Sequence, residues 1–578
     1  MAIRAHRQPK KEAASMFLKN VRQPQNLLAI LLGAAIIIIL AVETIINLTP
    51  VIDRDGLIHH LAIPKLWLKN GGFYETRWAI FSYYPMNLDL LYLIPLYLKK
   101  DFLAKFIHMG FGLGTGLLIY IYLKNKLSRA AGFLGALVFL STPMIIRLST
   151  QAYVDLGLVF FTTASLLALV RYRDGGYLKW KWLILASVAM GLALGTKYNA
   201  LVAWFFLSLA LVFVISRDTQ MQGKAIGCGL IFFLISFLLF SPWLVKNLFL
   251  TGNPLYPLMQ GFFNSDQSLA REGTFSIVSG NKYMGIFQIR EAMYGEGFWE
   301  TLLIPVRYFF QGQDDNARYF DGILNPVLII TVPFAFMNRK LRAEMILLAS
   351  FSLFILLMAS FLDQTRIRYI LSAVPPLAIL SVVGLANIWN FFGSRADKVK
   401  YGATIGLILI FVLLLGRNFS YLADYYQKIS PMNYICAKET RDEFISRYVG
   451  SYPAMQFVNK HTPENSHVRL IFLAGRGYYL DRTYEDSADM GMSFIRVFAE
   501  AAPDEISFRK RLGSFTYTHW LVRIGLVHKF LHDNYPEKII KLFFQRINDS
   551  TEMIYNKDGY IVLKIKPRQD QIDESSFH

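Results

Sequence analysis

The sequence predicts an α-helical, polytopic membrane protein that carries a soluble α/β domain at its C-terminal end. Three observations support this fold class. Hydrophobic residues make up 54% of the 578 residues and charged residues only 17%, whereas soluble globular proteins carry roughly a quarter of charged residues. Long apolar runs alternate with short basic clusters as far as residue 416. After Arg417 the hydropathy falls, and the remaining chain is long enough for one small domain.

The charge and cysteine content exclude two other classes of protein. The 60 basic and 41 acidic residues give a formal net charge of +19, which in a soluble chain would suggest nucleic-acid binding. Most of this excess lies in the basic clusters between apolar runs, so we expect no nucleic-acid partner. The only two cysteines, Cys228 and Cys436, rule out a disulfide framework.

The apolar runs predict about eleven membrane spans. A helix needs roughly 17 to 25 apolar residues to cross the hydrocarbon core of a bilayer, and several of these runs are at the short end. The predicted spans are 27–46, 103–123, 131–148, 154–170, 182–197, 198–215, 226–247, 323–337, 344–362, 370–391 and 401–416.

The basic clusters predict the orientation of these spans. Short cytoplasmic loops carry an excess of Lys and Arg, and six such clusters fall on one side if the N-terminus is cytoplasmic. Segment 84–98 is apolar, but it is short and contains Pro85, Asp89 and Pro95. We therefore predict a juxtamembrane element there, because counting it as a span would invert all later loops.

This topology predicts a domain organisation. A cytoplasmic segment, 1–26, precedes a transmembrane domain, 27–416, and an extracytoplasmic domain, 417–578, follows. Two long segments of the transmembrane domain lie outside: the first loop, 47–102, and the second loop, 248–322, which is long enough to form a lid. In the C-terminal domain, a helix at 454–460 and strands near 468–475, 518–524 and 559–565 predict an α/β fold.

Acidic residues at the outer ends of spans are the first candidate site residues, because charge near the membrane is costly unless it is paired or hydrated. Asp53 and Asp55 follow the first span, and Asp155 opens the fourth. Asp55 either caps a surface helix that begins at Gly56, with His59 and His60 solvated or at the lipid headgroups, or lies at the outer mouth of a membrane cavity. If 53–55 is extended, the two carboxylates share a face. If it is helical, only one points inward. For Asp155 the alternative is a helix-dipole partner.

Basic residues at the same depth are the second group of candidates. Lys197 lies inside the longest apolar stretch, Lys246 ends the seventh span, and Arg366 and Arg368 open the tenth. Each could simply extend its charge to the lipid headgroups. Together with the acidic residues, however, they suit the binding of a lipid-anchored phosphate. The sequence has no Walker loop, no GxGxxG motif opening a helix and no HExxH motif, so a cytoplasmic nucleotide site is not expected.

Several short blocks resemble a known class of enzymes. They occur in order over residues 50–370: D-x-x-x-x-H-L-x-x-P-K (55–65), S-Y-Y-P (82–85), A-Y-V-D (152–155), G-T-K-Y (195–198), S-P-W-L-V-K-N with T-G-N-P-L-Y-P (241–257) and R-I-R-Y (366–369). The sequence resembles the GT-C class of integral-membrane, polyprenyl-phosphate-sugar-dependent glycosyltransferases, which includes the lipid A aminoarabinose transferase and the protein O-mannosyltransferases. The resemblance implies a GT-C-like fold.

The resemblance also implies roles for matched residues. Asp55 would be the catalytic carboxylate, with Asp53 as the neighbouring alternative. Asp155 would support a metal, the acceptor or a basic partner. Lys197 and Arg368 would bind the phosphate of the donor. The further substrate-binding candidates are Arg366, His60, Lys65 and Lys246.

The implied function is sugar transfer from a polyprenyl-phosphate carrier to a glycan, lipid or protein acceptor on the outer face of the membrane. Asp55 would act as general base in an inverting displacement. A divalent metal at Asp55 and Asp155 is compatible with this chemistry but not required, because the carboxylates are few and scattered. The expected location is the bacterial cytoplasmic (inner) membrane, among membrane lipids.

Two alternatives remain open at this point. One is a transporter or flippase for a lipid-linked glycan, which would also carry charged residues in the membrane. Against it, the sequence has no internal repeat, and its charged residues cluster at one face. The other is a lipid-diphosphate-dependent polymerase or ligase, which need not place a carboxylate in the first loop.

Overall fold

The computed structural model describes residues 24–263, 285–361, 365–393, 397–487 and 489–566. These residues form a bundle of apolar helices followed by a domain built on a five-stranded sheet. Most of the predicted N-terminal segment, residues 1–23, lies outside the described residues, as do residues 264–284 of the second loop. The predicted fold class, a polytopic helical protein with a C-terminal α/β domain, is confirmed.

The first half of the bundle contains long helices separated by short helical turns. A π-helical turn, Gly56–His60, and a 3₁₀-helix, Ile80–Tyr83, lie in the first loop. The α-helices are α1 (Pro24–Asn47), α2 (Ala62–Asn70), α3 (Asn87–Leu91), α4 (Leu93–Tyr97), α5 (Leu103–Lys126), α6 (Arg129–Leu140), α7 (Pro143–Ser149), α8 (Asp155–Asp174), α9 (Trp180–Leu194), α10 (Ala200–Thr219) and α11 (Gln222–Thr251).

The second half begins with short helices of the second loop and ends with three long ones. Two 3₁₀-helices, Val332–Met337 and Ile367–Ala373, interrupt it. The α-helices are α12 (Gln260–Phe263), α13 (Ile286–Tyr294), α14 (Phe298–Leu302), α15 (Ile304–Arg307), α16 (Val327–Ile330), α17 (Arg342–Ser360), α18 (Val374–Gly393) and α19 (Asp397–Ile429).

The predicted spans all fall on helical structure. Within the described residues, seven helices are long and apolar enough to cross a membrane, or eight if α6 and α7, which meet at a 72° bend, form one span. The predicted spans 182–197 and 323–337 fall on shorter apolar helices, and 401–416 lies within α19. Segment 84–98 folds into α3 and α4, which have five residues each and are too short to span, as predicted.

Four of the predicted cytoplasmic connections meet at one end of the bundle. Lys126 pairs with Asp174 at 3.0 Å and with Glu344 at 2.6 Å, and Arg173 pairs with Asp218 at 2.7 Å. The sequence predicted all of these connections to lie on one side of the membrane. The ion pairs are consistent with that arrangement.

The C-terminal domain is built on a mixed sheet with the strand order β2-β1-β3-β5-β4. β1 is parallel to β2 and β3, whereas β5 is antiparallel to β3 and β4. α19 runs through the predicted domain boundary at residue 417, so the sheet domain begins only after Ile429. Its elements are α20 (Pro431–Ile435), α21 (Arg441–Tyr448), α22 (Tyr452–His461), β1 (His467–Ile471), β2 (Thr483–Glu485), α23 (Met492–Ala501), α24 (Glu505–Gly513), β3 (His519–Arg523), α25 (Ile524–Asn534), α26 (Glu537–Ser550), β4 (Thr551–Lys557) and β5 (Tyr560–Ile565).

The two faces of this sheet belong to different cores. Successive strand residues point to opposite faces, and in β3 Trp520 packs with Phe498 of α23, whereas Leu521 belongs to the opposite cluster. That opposite cluster also contains Leu57 and Leu61 of the first loop. The first loop and the C-terminal domain therefore share one hydrophobic core.

Polar contacts reinforce this shared core. The Tyr479 hydroxyl donates to the carbonyl of Val51 at 2.6 Å, and Arg441 pairs with Asp101 at 2.9 Å. A Cβ atom on Gly475, whose φ is +76°, would lie 3.1 Å from the side chain of Ile58, so glycine allows this close approach. The C-terminal domain thus supports the segment that carries Asp55.

Candidate active site

Asp53 fixes the conformation of the turn that follows the first span. Its two carboxylate oxygens accept hydrogen bonds from the backbone N–H of Gly56 at 3.1 Å and from that of Ala152 at 3.3 Å. A Cβ atom on Gly56 would lie 2.2 Å from the Asp53 carboxylate, so the turn requires glycine there. Asp53 therefore ties the first loop to the chain that leads into α8.

Asp55 points in another direction and forms an ion pair with Arg368, and each of the two side chains is only 13% exposed. The backbone is helical at Asp55, with φ −74° and ψ −27°, and the carboxylate makes no capping hydrogen bond. The capping alternative for Asp55 was therefore wrong. The helical alternative for residues 53–55 holds, and only Asp55 faces the cations. The π-helical turn after it is of a kind that occurs frequently at functional sites.

Asp155 and Lys197 form a second ion pair beside the first. Lys197 Nζ lies 2.6 Å from one oxygen of Asp155, which is 1% exposed. The second oxygen of Asp155 is buried and has no hydrogen-bond partner among the described residues. The ring of Tyr369 lies 5.5 Å from Lys197 Nζ and 5.4 Å from the Arg368 guanidinium, so one aromatic ring contacts both cations.

His60 joins this group together with Asp89, which was not among the predicted site residues. His60 Nδ1 lies 2.7 Å from Asp89, and both side chains are buried. His59 stacks on Phe81 with ring centroids 4.2 Å apart. His60 is buried and His59 is half-buried against Phe81, which does not fit a surface helix with both histidines solvated. Asp89 was detectable, because a carboxylate within an apolar segment signals a partner or a function.

The environment shifts the pKa values of the first-loop groups in opposite directions. Burial raises the pKa of Asp53 to about 6 and lowers the pKa of His60 to about 3. Burial also opposes ionisation of Asp55, but the nearby Arg368 guanidinium and the two histidines outweigh it and hold the pKa of Asp55 well below its usual range. Asp55 is therefore ionised and His60 neutral at pH 7.

Three other predicted residues have partners elsewhere. Lys65 Nζ donates to the carbonyl of Tyr478 at 2.7 Å and pairs with Asp481 at 2.8 Å, so it joins α2 to the C-terminal domain. Lys246 donates to the carbonyl of Ser82 at 2.6 Å. Arg366 lies 3.7 Å from Asp321 of the second loop. None of these contacts involves Asp55 or Asp155.

The short sequence blocks that carried the resemblance contact one another. Asn247 donates to the carbonyl of Tyr83 at 2.8 Å and to the hydroxyl of Tyr198 at 3.1 Å, and the Tyr198 hydroxyl donates to the carbonyl of Tyr256 at 3.0 Å. Lys246 belongs to the same network through Ser82. These blocks hold the first loop against α11 and the start of the second loop.

Arg476 of the C-terminal domain is a further cation close to the first loop, and its position there was not predicted. Arg476 lies in the loop that contacts the first loop, and burial together with the nearby charge of Arg54 lowers the pKa of Arg476. Contacts between segments more than 400 residues apart leave no local sequence pattern. Only the glycines around Arg476, Gly475 and Gly477, indicated a loop there.

The donor set does not fit a divalent metal. Among the described residues, no group of three or more His, Cys, Asp or Glu side chains could hold a metal ion. Asp55 and Asp155 are each neutralised by a basic side chain, and an added cation would face Arg368 and Lys197. What the arrangement offers is an ionised carboxylate beside two cations in a largely dry site, which suits the binding of an anion next to a base.

A known family model matches part of the chain. Residues 73–252 match the family model of the dolichyl-phosphate-mannose-protein mannosyltransferases. No curated protein sequence matches the chain. The matched segment includes Asp155 and Lys197 and ends before Arg368.

Solved structures of low sequence identity share the fold. ArnT from Cupriavidus metallidurans in the apo state superposes with a TM-score of 0.53 at 13% identity, over 93% of this chain and 99% of that one. ArnT bound to undecaprenyl phosphate gives 0.52 at 14% identity with the same coverage. The archaeal oligosaccharyltransferase AglB from Archaeoglobus fulgidus, in complex with an inhibitory peptide and a dolichol-phosphate, gives 0.51 at 12% identity, over 93% and 74% of the two chains.

These findings support the glycosyltransferase prediction over the transporter alternative. At such identities the structural matches establish the fold alone. The chain shares the fold of ArnT and AglB, and its residues 73–252 match the family model of the dolichyl-phosphate-mannose-protein mannosyltransferases.

Proposed function

We propose that the protein transfers a sugar from a polyprenyl-phosphate carrier to an acceptor by an inverting displacement at the Asp55 site. The observation that carries the proposal is the pair of adjacent, buried ion pairs, Asp55 with Arg368 and Asp155 with Lys197. The match of residues 73–252 and the ArnT structure with bound undecaprenyl phosphate support a phosphate-linked lipid donor.

The two cations would bind the phosphate of the donor. Negative charge grows on the phosphate as the glycosidic bond breaks, and fixed cations in a site with little water stabilise that charge strongly. Arg368 suits this role because its planar guanidinium can donate two parallel hydrogen bonds to a phosphate. Lys197 would supply a second, compact charge, and Asp155 would position it.

Donor binding would also convert Asp55 into a better base. In the structure Arg368 holds the pKa of Asp55 low, and a carboxylate of very low pKa is a poor proton acceptor. When the phosphate takes over part of the Arg368 hydrogen bonding, the counter-charge on Asp55 weakens and its pKa rises. Asp55 can then accept the acceptor's proton as the acceptor attacks the anomeric carbon from the side opposite the phosphate.

Asp53 would have a structural role instead of the catalytic one. Both of its oxygens accept backbone hydrogen bonds, so they are not directed toward a substrate. Its pKa of about 6 follows from burial, and the loss of both hydrogen bonds would displace the turn that carries Asp55. His60, held by Asp89, would keep this turn packed.

The other predicted residues would act at a distance from the reaction. Lys65 would fasten the C-terminal domain to the first loop, Lys246 would fix the 82–85 block, and Arg366 would hold the second loop through Asp321. The proposed acceptor class is a glycan, a lipid or a protein.

The proposed location is the bacterial cytoplasmic membrane, with the N-terminus in the cytoplasm. The C-terminal domain and the Asp55 site would then lie on the outer face, as the basic clusters predict. The proposed domains are the cytoplasmic segment 1–26, the transmembrane domain 27–416 and the extracytoplasmic domain 417–578, with α19 running through the last boundary. A phosphatase that is active only outside the cytoplasm should be active when it is fused to the C-terminus. An inactive fusion would overturn this orientation.

The function is tested with full-length protein in proteoliposomes and radiolabelled sugars linked to undecaprenyl phosphate. We expect release of labelled sugar from the lipid, with inversion at the anomeric carbon detected by NMR. Arg368→Met and Lys197→Ala should weaken donor binding, whereas Lys428→Ala, which removes an exposed cation that pairs with Asp315, serves as control. Turnover of polyprenyl-diphosphate glycans but of no monophosphate-linked sugar would support the polymerase or ligase alternative instead.

A further inference from the structure

A groove separate from the two ion pairs lies between the first loop and the C-terminal domain. Its volume is about 480 Å³, which is in the size range of small-molecule sites. Residues 66–78, from the end of α2 onward, line one side. β2 and His467 line the other. The groove therefore exists only where the two parts of the chain meet.

Three aromatic side chains line this groove. Tyr74 is 39% exposed, Trp78 is half-buried, and Tyr484 of β2 is buried with its ring centroid 5.2 Å from that of Trp78. Such rings offer an apolar face together with a polar tip. A sugar ring has the complementary character, since its C–H groups form apolar faces and its hydroxyl groups lie around the edge.

Charged side chains of both signs surround these rings. Glu75 pairs with Arg77 at 3.0 Å, and Glu485 lies 3.4 Å from His467. Lys69 donates to the carbonyl of Asp481 at 2.8 Å.

The formal charges in the groove cancel when His467 is neutral, because two carboxylates, Glu75 and Glu485, face two fixed cations, Lys69 and Arg77. Hydroxyl groups both donate and accept hydrogen bonds and can satisfy donors and acceptors together. A phosphate would face two carboxylates, and an apolar segment would remove water from these charged groups without offering them hydrogen bonds.

The position of the groove relates it to Asp55. The helix α2, Ala62–Asn70, leads from the π-helical turn after Asp55 to the groove, and nine helical residues span about 14 Å. A short oligosaccharide bridges such a distance. We propose that the groove binds a neutral oligosaccharide portion of the acceptor. That this oligosaccharide belongs to the acceptor rests on the proposed function, whereas the binding of an oligosaccharide by the groove does not.

An extended peptide fits the same surface less well. β2 is an edge strand, to which a peptide could add by backbone hydrogen bonding. It has only three residues, about 10 Å, and strand addition would give the aromatic rings and the paired charges no role. Peptide binding is therefore an outcome that the experiment must distinguish.

The proposal is tested by binding measurements without donor. The full-length protein is placed in phospholipid nanodiscs, because maltoside detergents themselves carry sugars. Saturation-transfer NMR and calorimetry are recorded with maltotetraose, mannotetraose and chitotetraose. At least one should bind, and Tyr74→Ala should weaken its binding by about fivefold, since one stacked ring contributes roughly 1 kcal/mol. Tyr97→Ala, which removes a 79% exposed tyrosine outside the groove, should leave binding unchanged.

The outcomes separate this proposal from the proposed function. Asp55→Asn should keep oligosaccharide binding even though it loses transfer, so full transfer by Asp55→Asn would overturn the catalytic proposal alone. Binding of none of the three tetrasaccharides would overturn the groove proposal. So would equal weakening by Tyr74→Ala and Tyr97→Ala, or binding of an uncharged Gly-Ser-Thr peptide in place of the sugars.

Discussion

The replacement Asp55→Asn removes the proposed chemical role of this carboxylate together with its role as a counter-ion. Removing a general base typically costs 10² to 10⁴ in rate, which is about 3 to 5.5 kcal/mol in the activation barrier. The same change leaves Arg368 without its partner, and both side chains are only 13% exposed. Breaking a buried ion pair on one side costs about 3–5 kcal/mol of stability. Asp55→Asn alone should therefore lose both activity and thermal stability.

A double variant resolves the two effects. Asp55→Asn combined with Arg368→Met removes both charges, so stability should return toward the wild-type value. Activity should stay absent, because neither the proposed base nor the proposed phosphate-binding cation is present. Thermal unfolding in nanodiscs measures the first effect and release of radiolabelled sugar measures the second. A double variant that regains stability and transfers sugar at the wild-type rate would refute the assignment of Asp55 and Arg368.

Asp53→Asn is the matched control for this experiment. Asparagine keeps one acceptor oxygen for the backbone of Gly56 or Ala152, so we expect a moderate loss of stability and a kcat within about tenfold of wild type. If Asp53→Asn lowers kcat as much as Asp55→Asn while the protein stays folded, Asp53 is the base and the structural role proposed for it is wrong.

Three further predictions concern the donor, the pH dependence and the second loop. Lys197→Ala should raise the KM for donor lipid more than Lys65→Ala does. Lys65→Ala should instead make the C-terminal domain more susceptible to proteolysis. Equal KM values for the two variants would argue against a phosphate role for Lys197. Burial raises the pKa of Asp53 from 3.8 to about 6, so protonation of Asp53 stabilises the fold at low pH, and this contribution is lost as pH rises from about 4 to 6. In denaturation experiments, the stability of wild type relative to Asp53→Asn should therefore increase by about 1.4 kcal/mol from pH 7 to pH 5. Parallel pH profiles of stability for the two proteins would contradict the buried carboxyl. Glu296 is fully buried against Arg290 and Arg307, whose hydrogen bonds outweigh burial and lower the pKa of Glu296 to about 2. Glu296→Gln should therefore destabilise the second loop above about pH 4.5, which would be measured as faster amide exchange in 285–322. The difference between the two proteins should shrink as pH falls toward 2.

Hydropathy and charge were sufficient to predict the bundle, because a span is recognised from twenty consecutive residues. The same physical argument singled out Asp55, Asp155, Lys197 and Arg368, since ionisable groups near the membrane need partners. The structure pairs them with one another. A basic partner was one of the alternatives predicted for Asp155, whereas the pairing of Asp55 with Arg368 was not predicted.

The remaining features depend on contacts between distant segments. Lys65 finds its partners 413 and 416 residues later, at Tyr478 and Asp481, and no local pattern predicts such a pairing. The strands Thr483–Glu485 and Thr551–Lys557 were also missed: the first is short, and the second is exposed along most of its length. The role of Asp89 was not predicted, because the segment that contains it was considered only for its ability to span the membrane.

The core shared by the first loop and the C-terminal domain has a consequence for the biosynthesis of the protein. Ribosomes deliver Asp55 early, and domains generally fold from the N-terminal end during synthesis. The strands that complete the packing around Leu57 and Leu61 emerge only near the end of translation. A nascent chain would thus hold its helices in the bilayer for most of its synthesis before the packing around Leu57 and Leu61 is complete. A chain that ends between α19 and β5 should insert its helices but leave this packing unfinished.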